Sequence, residues 1–223
     1  MAETLWDGGP ILHQAPGVFP MGTDSILLAH FARPGAKDRI LDLGTGSGIL
    51  PVLLLSMQPR ASAAAIELEP AACQLAQKNF TCNGLDARTR LISGDLRQHR
   101  TLVPAGGFDL TVSNPPYFPV GTGYDAAAGL QNARGDGTCT LDDLCCLVFR
   151  PDRIAQLFVA LDRAGFAPKR LRPVHHDAAS AANLVLVEAR RGGKPGLIWE
   201  KDLSLYTAQG QESPELRNIY HRA

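Results

Sequence analysis

The chain has 223 residues, of which 22 are basic and 22 acidic, so its formal net charge is zero. This length, with 45% apolar residues, fits one globular domain, and the balanced charge excludes a histone-like or strongly basic nucleic-acid coat protein. The longest apolar run, Ile49 to Leu55, is far shorter than the roughly 20 residues that span a membrane. The first residues have neither a basic nor an apolar leader, and the five cysteines lack C-x-x-C spacing. We therefore expect a cytoplasmic protein with reduced thiols and no membrane partner.

The N-terminal segment, residues 1–32, precedes the regular pattern of the core. Ile11 to Gln14 is expected to pair with Val18 to Met21, and a short helix over Thr23 to Phe31 follows. The core occupies residues 33–223. Because no internal repeat, low-complexity tract or linker divides the chain, we expect a single domain.

Within the core, short apolar segments alternate with amphipathic ones. The predicted strands are Arg39 to Leu43, Ala63 to Leu68, Thr89 to Ile92, Phe108 to Ser113 and Leu147 to Phe149, followed by a closing pair, Lys169 to Val174 and Asn183 to Arg190. The predicted helices are Ile49 to Met57, a helix that begins at Pro70 and is ended by Asn83-Gly84, a short helix over Leu141 to Leu147, and Asp152 to Ala164. Strands that alternate with helices indicate an α/β fold with a mostly parallel sheet. The crossover before the fifth strand is unusually short, because only a loop over 121–138 and the short helix precede that strand.

A glycine turn follows the first core strand. Gly44, Gly46 and Gly48 would let a ligand approach the backbone without interference from a Cβ atom. The third glycine comes one residue too early for the dinucleotide pattern G-x-G-x-x-G. Asp42, just before the turn, would repel a pyrophosphate but suits the ammonium group of a methionine moiety. The turn therefore favours a ligand with an ammonium group over a dinucleotide.

Acidic residues also mark the ends of the next two strands. Glu67 ends the second strand, where it can accept hydrogen bonds from both hydroxyls of a ribose, and Asp95 follows the third, where it can accept from an adenine amino group. Because the carboxyl ends of parallel strands share one edge of a sheet, Asp42, Glu67 and Asp95 outline a site there. The alternative is that the glycines form a plain tight turn and the acids cap helices.

The segment Asn114-Pro115-Pro116-Tyr117 follows the fourth strand. An exocyclic amine is a poor nucleophile because its lone pair is delocalised into the ring. The Asn114 side-chain oxygen and the Pro115 main-chain oxygen can accept its two hydrogens, which leaves the lone pair directed at an electrophile. The two prolines stiffen the turn, and Tyr117 offers a face on which a base can stack. Positioning and preorganisation would then supply most of the rate, whereas a proline-rich loop with a packing tyrosine is the structural alternative.

These motifs resemble those of class I S-adenosylmethionine-dependent methyltransferases. Leu41 to Gly48 is similar to motif I, and Asn114 to Tyr117 is similar to motif IV of the amino-group branch. Phe19 to Ala29 and the tail from Leu205 to Tyr220 resemble the bacterial tRNA1(Val) adenine-37 N6-methyltransferases and their close relatives. The resemblance covers nearly the whole chain. It implies a Rossmann-like twisted sheet with helices on both faces.

The resemblance also implies a cofactor, a substrate and a set of site residues. S-adenosylmethionine would be the cofactor, with Thr23 and Asp24 over it and Asn114 facing its transferable methyl group. The target would be N6 of an adenine in tRNA, in the anticodon loop, and residues 121–138 would lie near that base. The stretch after Leu141 departs from the family, which normally has a longer helix and a Gly-Gly turn there.

Basic residues concentrate between 150 and 194, with nine Lys or Arg against four acidic residues. Lys169, Arg170 and Arg172 are therefore candidates for contact with RNA phosphates, and an ordinary solvated surface is the alternative. His175 and the histidine after it have no cysteine or acidic cluster at ligand spacing, so we expect no metal site.

Other functions stay open at this point. Guanine-N2 rRNA methyltransferases share the motif IV pattern but usually carry a second, duplicated domain. Protein glutamine N5-methyltransferases share it because an amide nitrogen poses the same chemical problem, but they have an extra N-terminal helical domain. DNA adenine methyltransferases normally need a target-recognition region. In a different class, a non-catalytic cofactor-fold module could bind RNA, although the intact Asp42, Glu67, Asp95 and Asn114 argue against it.

Overall fold

The computed structural model describes residues 2–104, 106–115 and 144–222. The strands are β1 (Ala2–Thr4), β2 (Ile11–His13), β3 (Arg39–Leu43), β4 (Ser62–Glu67), β5 (Thr89–Ser93), β6 (Leu110–Ser113), β7 (Leu144–Phe149), β8 (Phe166–His175), β9 (Ala182–Arg191), β10 (Ile198–Trp199) and β11 (Leu203–Ser204). The helices are α1 (Thr23–Ala32), α2 (Ile49–Met57), α3 (Pro70–Cys82), α4 (His99–Leu102), α5 (Ile154–Arg163) and α6 (Pro214–Ile219). No helix in these described ranges is both long enough and apolar enough to cross a membrane.

Nine strands of the described ranges form one mixed sheet, in the order β10-β8-β9-β7-β6-β3-β4-β5 with β11 beside β8. β3 is parallel to both β4 and β6, and β7 is parallel to β6. β9 runs antiparallel to its neighbours β7 and β8. The predicted α/β fold, with a mostly parallel sheet and a closing antiparallel pair, is confirmed.

The chain order of the strands reverses at β3. From β3 the chain builds β4 and β5 on one side, and it then returns to place β6 on the other side of β3. In an open α/β sheet, such a reversal creates a crevice outside the carboxyl ends of the strands. The glycine turn follows β3 and Asn114 follows β6, so both lie at this crevice.

Two apolar layers hold the sheet between helices. One layer packs α1, α2 and α3 against one face and includes Leu28, Leu53 and Phe80, each 0% exposed. The other packs α5 against the opposite face through Leu157 and Leu161. The buried residues of α3 include Ala72, Leu75, Ala76 and Phe80, which recur every three to four positions and so share one face of the helix.

The predicted pairing at the N-terminus is wrong. Ile11–His13 pairs antiparallel with Ala2–Thr4, with Glu3 opposite Leu12, and not with the segment Val18 to Met21. The chain can reverse between these strands because Gly8 takes a φ of 68°. Leu12 is 1% exposed, so this hairpin adds a residue to the core.

The predicted short helix over Leu141 to Leu147 is also wrong where the structure describes it, since β7 already begins at Leu144. Cys145 joins one apolar layer and Cys146 the other, as expected of neighbouring residues in a strand. A strand buried on both faces is a continuous apolar run, which periodicity cannot distinguish from a buried helix. The predicted loop over 121–138 lies outside the described residues.

Candidate active site

The three glycines of the turn after β3 have different surroundings. Gly44, Gly46 and Gly48 take φ angles of 75°, 56° and 81°, which are left-handed values that favour glycine. A Cβ atom on Gly48 would lie 2.7 Å from the Phe80 ring and 3.2 Å from the Ala76 Cα atom, so this glycine lets α2 and α3 pack closely. A Cβ atom on Gly46 would meet nothing within 4 Å. Gly46 therefore marks the open side of the turn.

Neighbouring elements hold this turn in place. The backbone N–H groups of Gly44 and Thr45 both donate to the Ile66 carbonyl at 3.0 Å, which fixes the turn to β4. Asn79, fully buried on α3, donates to the Ser47 carbonyl at 2.8 Å. The Asn79 side-chain oxygen also accepts from the His13 backbone N–H at 2.7 Å, which connects the turn to β2. The turn is thus preorganised from three sides.

Asp42 lies in β3, one residue before the end of that strand, and is 0% exposed. Within the described residues, neither oxygen of its carboxyl group has a hydrogen-bond partner. Burial raises the pKa of Asp42 to about 7, the nearby Thr45 hydroxyl lowers it in part, and the Glu67 carboxylate raises it further. A buried carboxyl group without a donor is costly when charged. The site therefore offers an acceptor that fits a cationic donor such as an ammonium group.

Glu67, at the end of β4, accepts hydrogen bonds from the glycine turn and from the residues that follow β4. Its Oε2 atom accepts from the Gly46 backbone N–H at 2.7 Å, and its Oε1 atom accepts from the backbone N–H groups of Leu68 and Glu69 at 2.8 and 3.0 Å. These bonds place the carboxylate directly beside the open glycine. Each carboxylate oxygen has two lone pairs, so Oε1 is fully used and Oε2 keeps one acceptor site for a hydroxyl group of a ligand.

Asp95 follows β5, and Arg97 surrounds its carboxylate with donors. The Arg97 backbone N–H and Nε atom donate to Oδ1 at 2.9 and 3.0 Å, and its Nε and Nη2 atoms donate to Oδ2 at 2.8 and 2.5 Å. Hydrogen bonds from Arg97 lower the pKa of Asp95. These contacts use most of the acceptor capacity of the carboxylate. Contact between Asp95 and an adenine amino group stays a prediction. Such a contact requires Arg97 to release at least one of its hydrogen bonds to Asp95.

Asn114 is held from two directions at the end of β6. The Ser113 hydroxyl donates to the Leu43 carbonyl at 2.8 Å, which ties the end of β6 to the end of β3. The Asn114 Nδ2 atom donates to the Ser25 hydroxyl of α1 at 2.9 Å. Pro115 is buried, whereas the predicted catalytic residues Pro116 and Tyr117 lie outside the described residues.

The first turn of α1 completes this edge of the sheet. Thr23 and Asp24 begin the helix, directly before the serine that contacts Asn114. The Tyr220 hydroxyl donates to the Thr23 hydroxyl at 3.3 Å, so the C-terminal segment braces the start of α1. Ser25, Asn79 and Tyr220 are parts of the site's framework that were not predicted from the sequence. Ser25 and Tyr220 lay within segments that the family resemblance had already marked, whereas nothing marked Asn79.

The structure does not bring the three basic candidates to this crevice. Arg170 is 13% exposed, pairs with Glu188 and Glu200 at 2.5 and 2.9 Å, and lies 4.3 Å above the Phe31 ring. Lys169 donates to the Lys194 carbonyl. Arg172 donates to the Lys201 carbonyl and to Glu215. These side chains hold β8 against its neighbours, so their contact with RNA stays a prediction.

Both ring nitrogens of His175 contact neighbouring residues of the protein. Its Nδ1 atom lies 2.7 Å from the Ser180 carbonyl oxygen, and its Nε2 atom lies 3.0 Å from the Asp202 carboxylate. Across the described ranges there is no group of three or more His, Cys, Asp or Glu residues that could hold a metal ion.

Comparisons with known proteins agree with this geometry. A family model described as methyltransferase small domain matches residues 10–130, a little over half of the chain. The tRNA1(Val) (adenine(37)-N6)-methyltransferase of Tolumonas auensis is 34% identical over 209 residues, which cover 87% of this chain and 85% of that protein. The release factor glutamine methyltransferase of Rhodospirillum rubrum is 41% identical over 108 residues, which cover 48% of this chain and 31% of that protein.

Solved structures show the same fold at low sequence identity. A predicted O-methyltransferase from Agrobacterium tumefaciens has a TM-score of 0.75 and 19% identity, over 89% of this chain and 96% of that chain. The ribosomal protein L11 methylase from Lactobacillus delbrueckii has a TM-score of 0.59 and 20% identity, over 80% of this chain and 83% of that chain. From the family match and the similarity over most of both chains in the Tolumonas pair, the chain belongs to the methyltransferase small domain family.

Proposed function

We propose that the protein transfers a methyl group from S-adenosylmethionine to the exocyclic amine N6 of an adenine in tRNA. The observation that carries this proposal is the placement of Asn114 at the end of β6, beside the glycine turn and tied to it through Ser113 and Leu43. An amide at this position can accept from an amine that approaches the open side of the turn. The relative from Tolumonas auensis, which is matched over 85% of its length, supports the choice of adenine in tRNA.

The residues present fit the cofactor. Asp42 is a buried carboxyl group without a donor in the described residues, and it would hold the ammonium group of the methionine moiety. The open side of Gly46 would receive the ligand, and the Oε2 atom of the adjacent Glu67 would accept from a ribose hydroxyl. When bound, S-adenosylmethionine supplies an electrophilic methyl group on a sulfonium centre.

The chain's own residues would act on the amine. The Asn114 side-chain oxygen and the Pro115 carbonyl would accept its two hydrogens, so that the nitrogen lone pair faces the methyl group. No strong general base is required, because the amine becomes acidic only after it has been methylated and can then release its proton. Catalysis would rest on positioning and on preorganised dipoles, which agrees with a site held by hydrogen bonds from three elements.

The proposal places the target base in an unpaired stretch of RNA. A base inside a duplex must leave its stack to reach a crevice at the edge of a sheet, and that step costs a few kcal/mol. An anticodon loop avoids most of this cost. Glutamine methylation is the second candidate, because of the match to a release factor glutamine methyltransferase, but that match covers 31% of the relative.

Transfer of labelled methyl groups to defined acceptors tests the proposal. The acceptors are a short RNA stem-loop with an unpaired adenine, the same RNA with purine in place of that adenine, the same sequence in a duplex, and a glutamine-containing peptide. Purine is the matched control because it lacks only the exocyclic amine. We expect methylation of the adenine stem-loop and much less of the duplex. Methylation of the purine RNA or of the peptide instead would contradict the proposal.

A further inference from the structure

We propose that Ser25 is a positioning residue for methyl transfer, which holds the Asn114 carboxamide in the orientation that the amine requires. This inference rests on the proposed function, because it assumes that Asn114 acts on the amine. It adds a residue of α1 to a site otherwise built from strand ends.

The contact itself is short and sheltered. The Asn114 Nδ2 atom lies 2.9 Å from the Ser25 hydroxyl, although the two residues are 89 positions apart in the chain. Ser25 is 5% exposed. Because water has little access, the hydrogen bond does not compete with solvent, and it is electrostatically stronger than the same contact at an open surface.

The position of Ser25 is set by the core. The residues that follow it on α1, from Ile26 to Ala29, are each at most 2% exposed and belong to the larger apolar layer. The bond between Tyr220 and Thr23 braces the helix two residues before Ser25. The Ser25 hydroxyl thus has a fixed position from which it can orient the Asn114 side chain.

The bond restricts the one torsion of Asn114 that matters most for the proposed chemistry. The backbone at Asn114 is already tied through Ser113 to β3, and the Ser25 hydroxyl restrains the rotation of the carboxamide plane. A hydroxyl can accept from the amide nitrogen or donate to the amide oxygen, so Ser25 fixes this plane whichever end it meets. With Nδ2 on Ser25, as observed, the opposite end of the carboxamide is the oxygen. That oxygen is the end that can accept from an amine.

The substitution Ser25→Ala removes the hydroxyl and keeps a small residue that favours the helix. We expect kcat to fall about tenfold, since misplaced catalytic groups lose rate without losing binding. The dissociation constant for S-adenosylmethionine should stay unchanged. Ser56→Ala is the matched control, because it removes a hydroxyl from α2 that bonds only to the Val52 carbonyl among described partners. Ser25→Cys, which keeps a side chain of similar size but offers only a weak hydrogen-bond partner, serves as a second variant if Ser25→Ala changes the thermal unfolding of the protein.

A double-mutant cycle separates positioning from a general structural effect. In an Asn114→Ala background, Ser25→Ala should change kcat by less than about twofold, because the group that it positions is gone. Equal losses in both backgrounds, or wild-type kcat for both Ser25 variants, would overturn the inference. Wild-type kcat for Asn114→Ala alone would instead overturn the proposed role of Asn114, so the two failures can be distinguished.

Discussion

Folding removes the carboxyl group of Asp42 from water without a hydrogen-bond partner among the described residues, and the nearby Thr45 hydroxyl offsets the effect of burial only in part. Its neighbours across the sheet are Ala65 and Val112, which offer no polar side chain. An interior position of this kind would be filled at lower cost by an apolar residue. A cationic ligand that binds at Asp42 would offset the cost of burying this carboxylate. That cost can be measured as a loss of stability in the protein without ligand.

The change Asp42→Asn should alter how stability depends on pH. Folding raises the pKa of Asp42 from 3.8 to about 7, so between these values the folded state binds more protons than the unfolded state. Stability due to this group therefore falls as pH rises from about 4 to about 7, by a few kcal/mol in order of magnitude. We expect the Asp42→Asn variant to match the wild type near pH 4 and to exceed it in free energy of unfolding at pH 8. Urea denaturation at both pH values measures this.

Asp109→Asn is the control for that experiment. The Arg39 backbone N–H and side chain lower the pKa of Asp109, so the stabilisation from Asp109 is present at neutral pH and is lost as pH falls. The Asp109→Asn variant should be less stable than the wild type at pH 8. An Asp42→Asn variant that is also less stable at pH 8 would refute the described environment of Asp42.

The glycine turn permits a second experiment with a matched pair. Gly48→Ala would force a Cβ atom against the buried Phe80 ring, and we expect a loss of about 2–4 kcal/mol in the free energy of unfolding from overpacking and a left-handed φ. Gly46→Ala meets open space, so only about 1 kcal/mol should be lost through the backbone. Its affinity for S-adenosylmethionine, measured by isothermal titration calorimetry, should nevertheless fall at least about tenfold, because the new methyl group would occupy the proposed ligand space.

Gly192→Ala provides the control for backbone strain. Gly192 also has a left-handed φ, 60°, and an open Cβ position, but it follows β9 at the opposite edge of the sheet. This variant should lose about as much stability as Gly46→Ala and keep full cofactor affinity. Equal affinity of the Gly46→Ala and Gly192→Ala variants for S-adenosylmethionine would show that the cofactor does not bind at this turn.

At the scale of elements, one arginine connects several parts of the outer sheet. Arg170 on β8 contacts Glu188 on β9, Glu200 after β10 and the Phe31 carbonyl at the end of α1. Arg170→Ala would leave two partly buried carboxylates without their cation. We expect the free energy of unfolding to fall by about 2–4 kcal/mol.

The exposed Lys194 allows a matched comparison with Arg170. Lys194→Ala removes the same charge from the same region, and it should change stability by less than about 0.5 kcal/mol. Chemical denaturation of both variants decides between a structural and an RNA-binding role for Arg170. If Arg170 instead contacted phosphates, Arg170→Ala would keep its stability and weaken the salt dependence of RNA binding.

Elements with one clear signal could be predicted from the sequence. β3 and α2 match their predicted bounds, because the glycine turn marks both the end of the strand and the start of the helix. The first four residues of β7 were predicted as helix because an apolar run buried on both faces carries no periodicity. The β1–β2 hairpin was missed because its register depends on which partner strand packs best, and that is a property of the tertiary structure.

For the whole molecule, the same limit applies to the site. The position of Asp42, Glu67 and Asn114 at strand ends could be predicted, since a parallel sheet brings such ends to one edge. The contact between Ser25 and Asn114 could not, because it depends on how α1 lies across the sheet. The hydrogen bonds from Arg97 to Asp95 could not be predicted either, since the exposed Arg97 side chain can adopt many arrangements. Sequence pattern thus predicts which strand ends share an edge, and packing decides what each side chain touches there.

At the scale of the whole protein, the central proposal is that it methylates N6 of an adenine in tRNA. The most direct test incubates tRNA from a strain that lacks the gene with the purified protein and isotope-labelled S-adenosylmethionine, and then identifies the methylated nucleosides by mass spectrometry. Asn114→Ala, which should lower kcat by roughly 10²–10³, is run in parallel as the control. The account predicts labelled N6-methyladenosine with the wild type and almost none with the variant. Labelled N2-methylguanosine, or no labelled nucleoside at all, would contradict it.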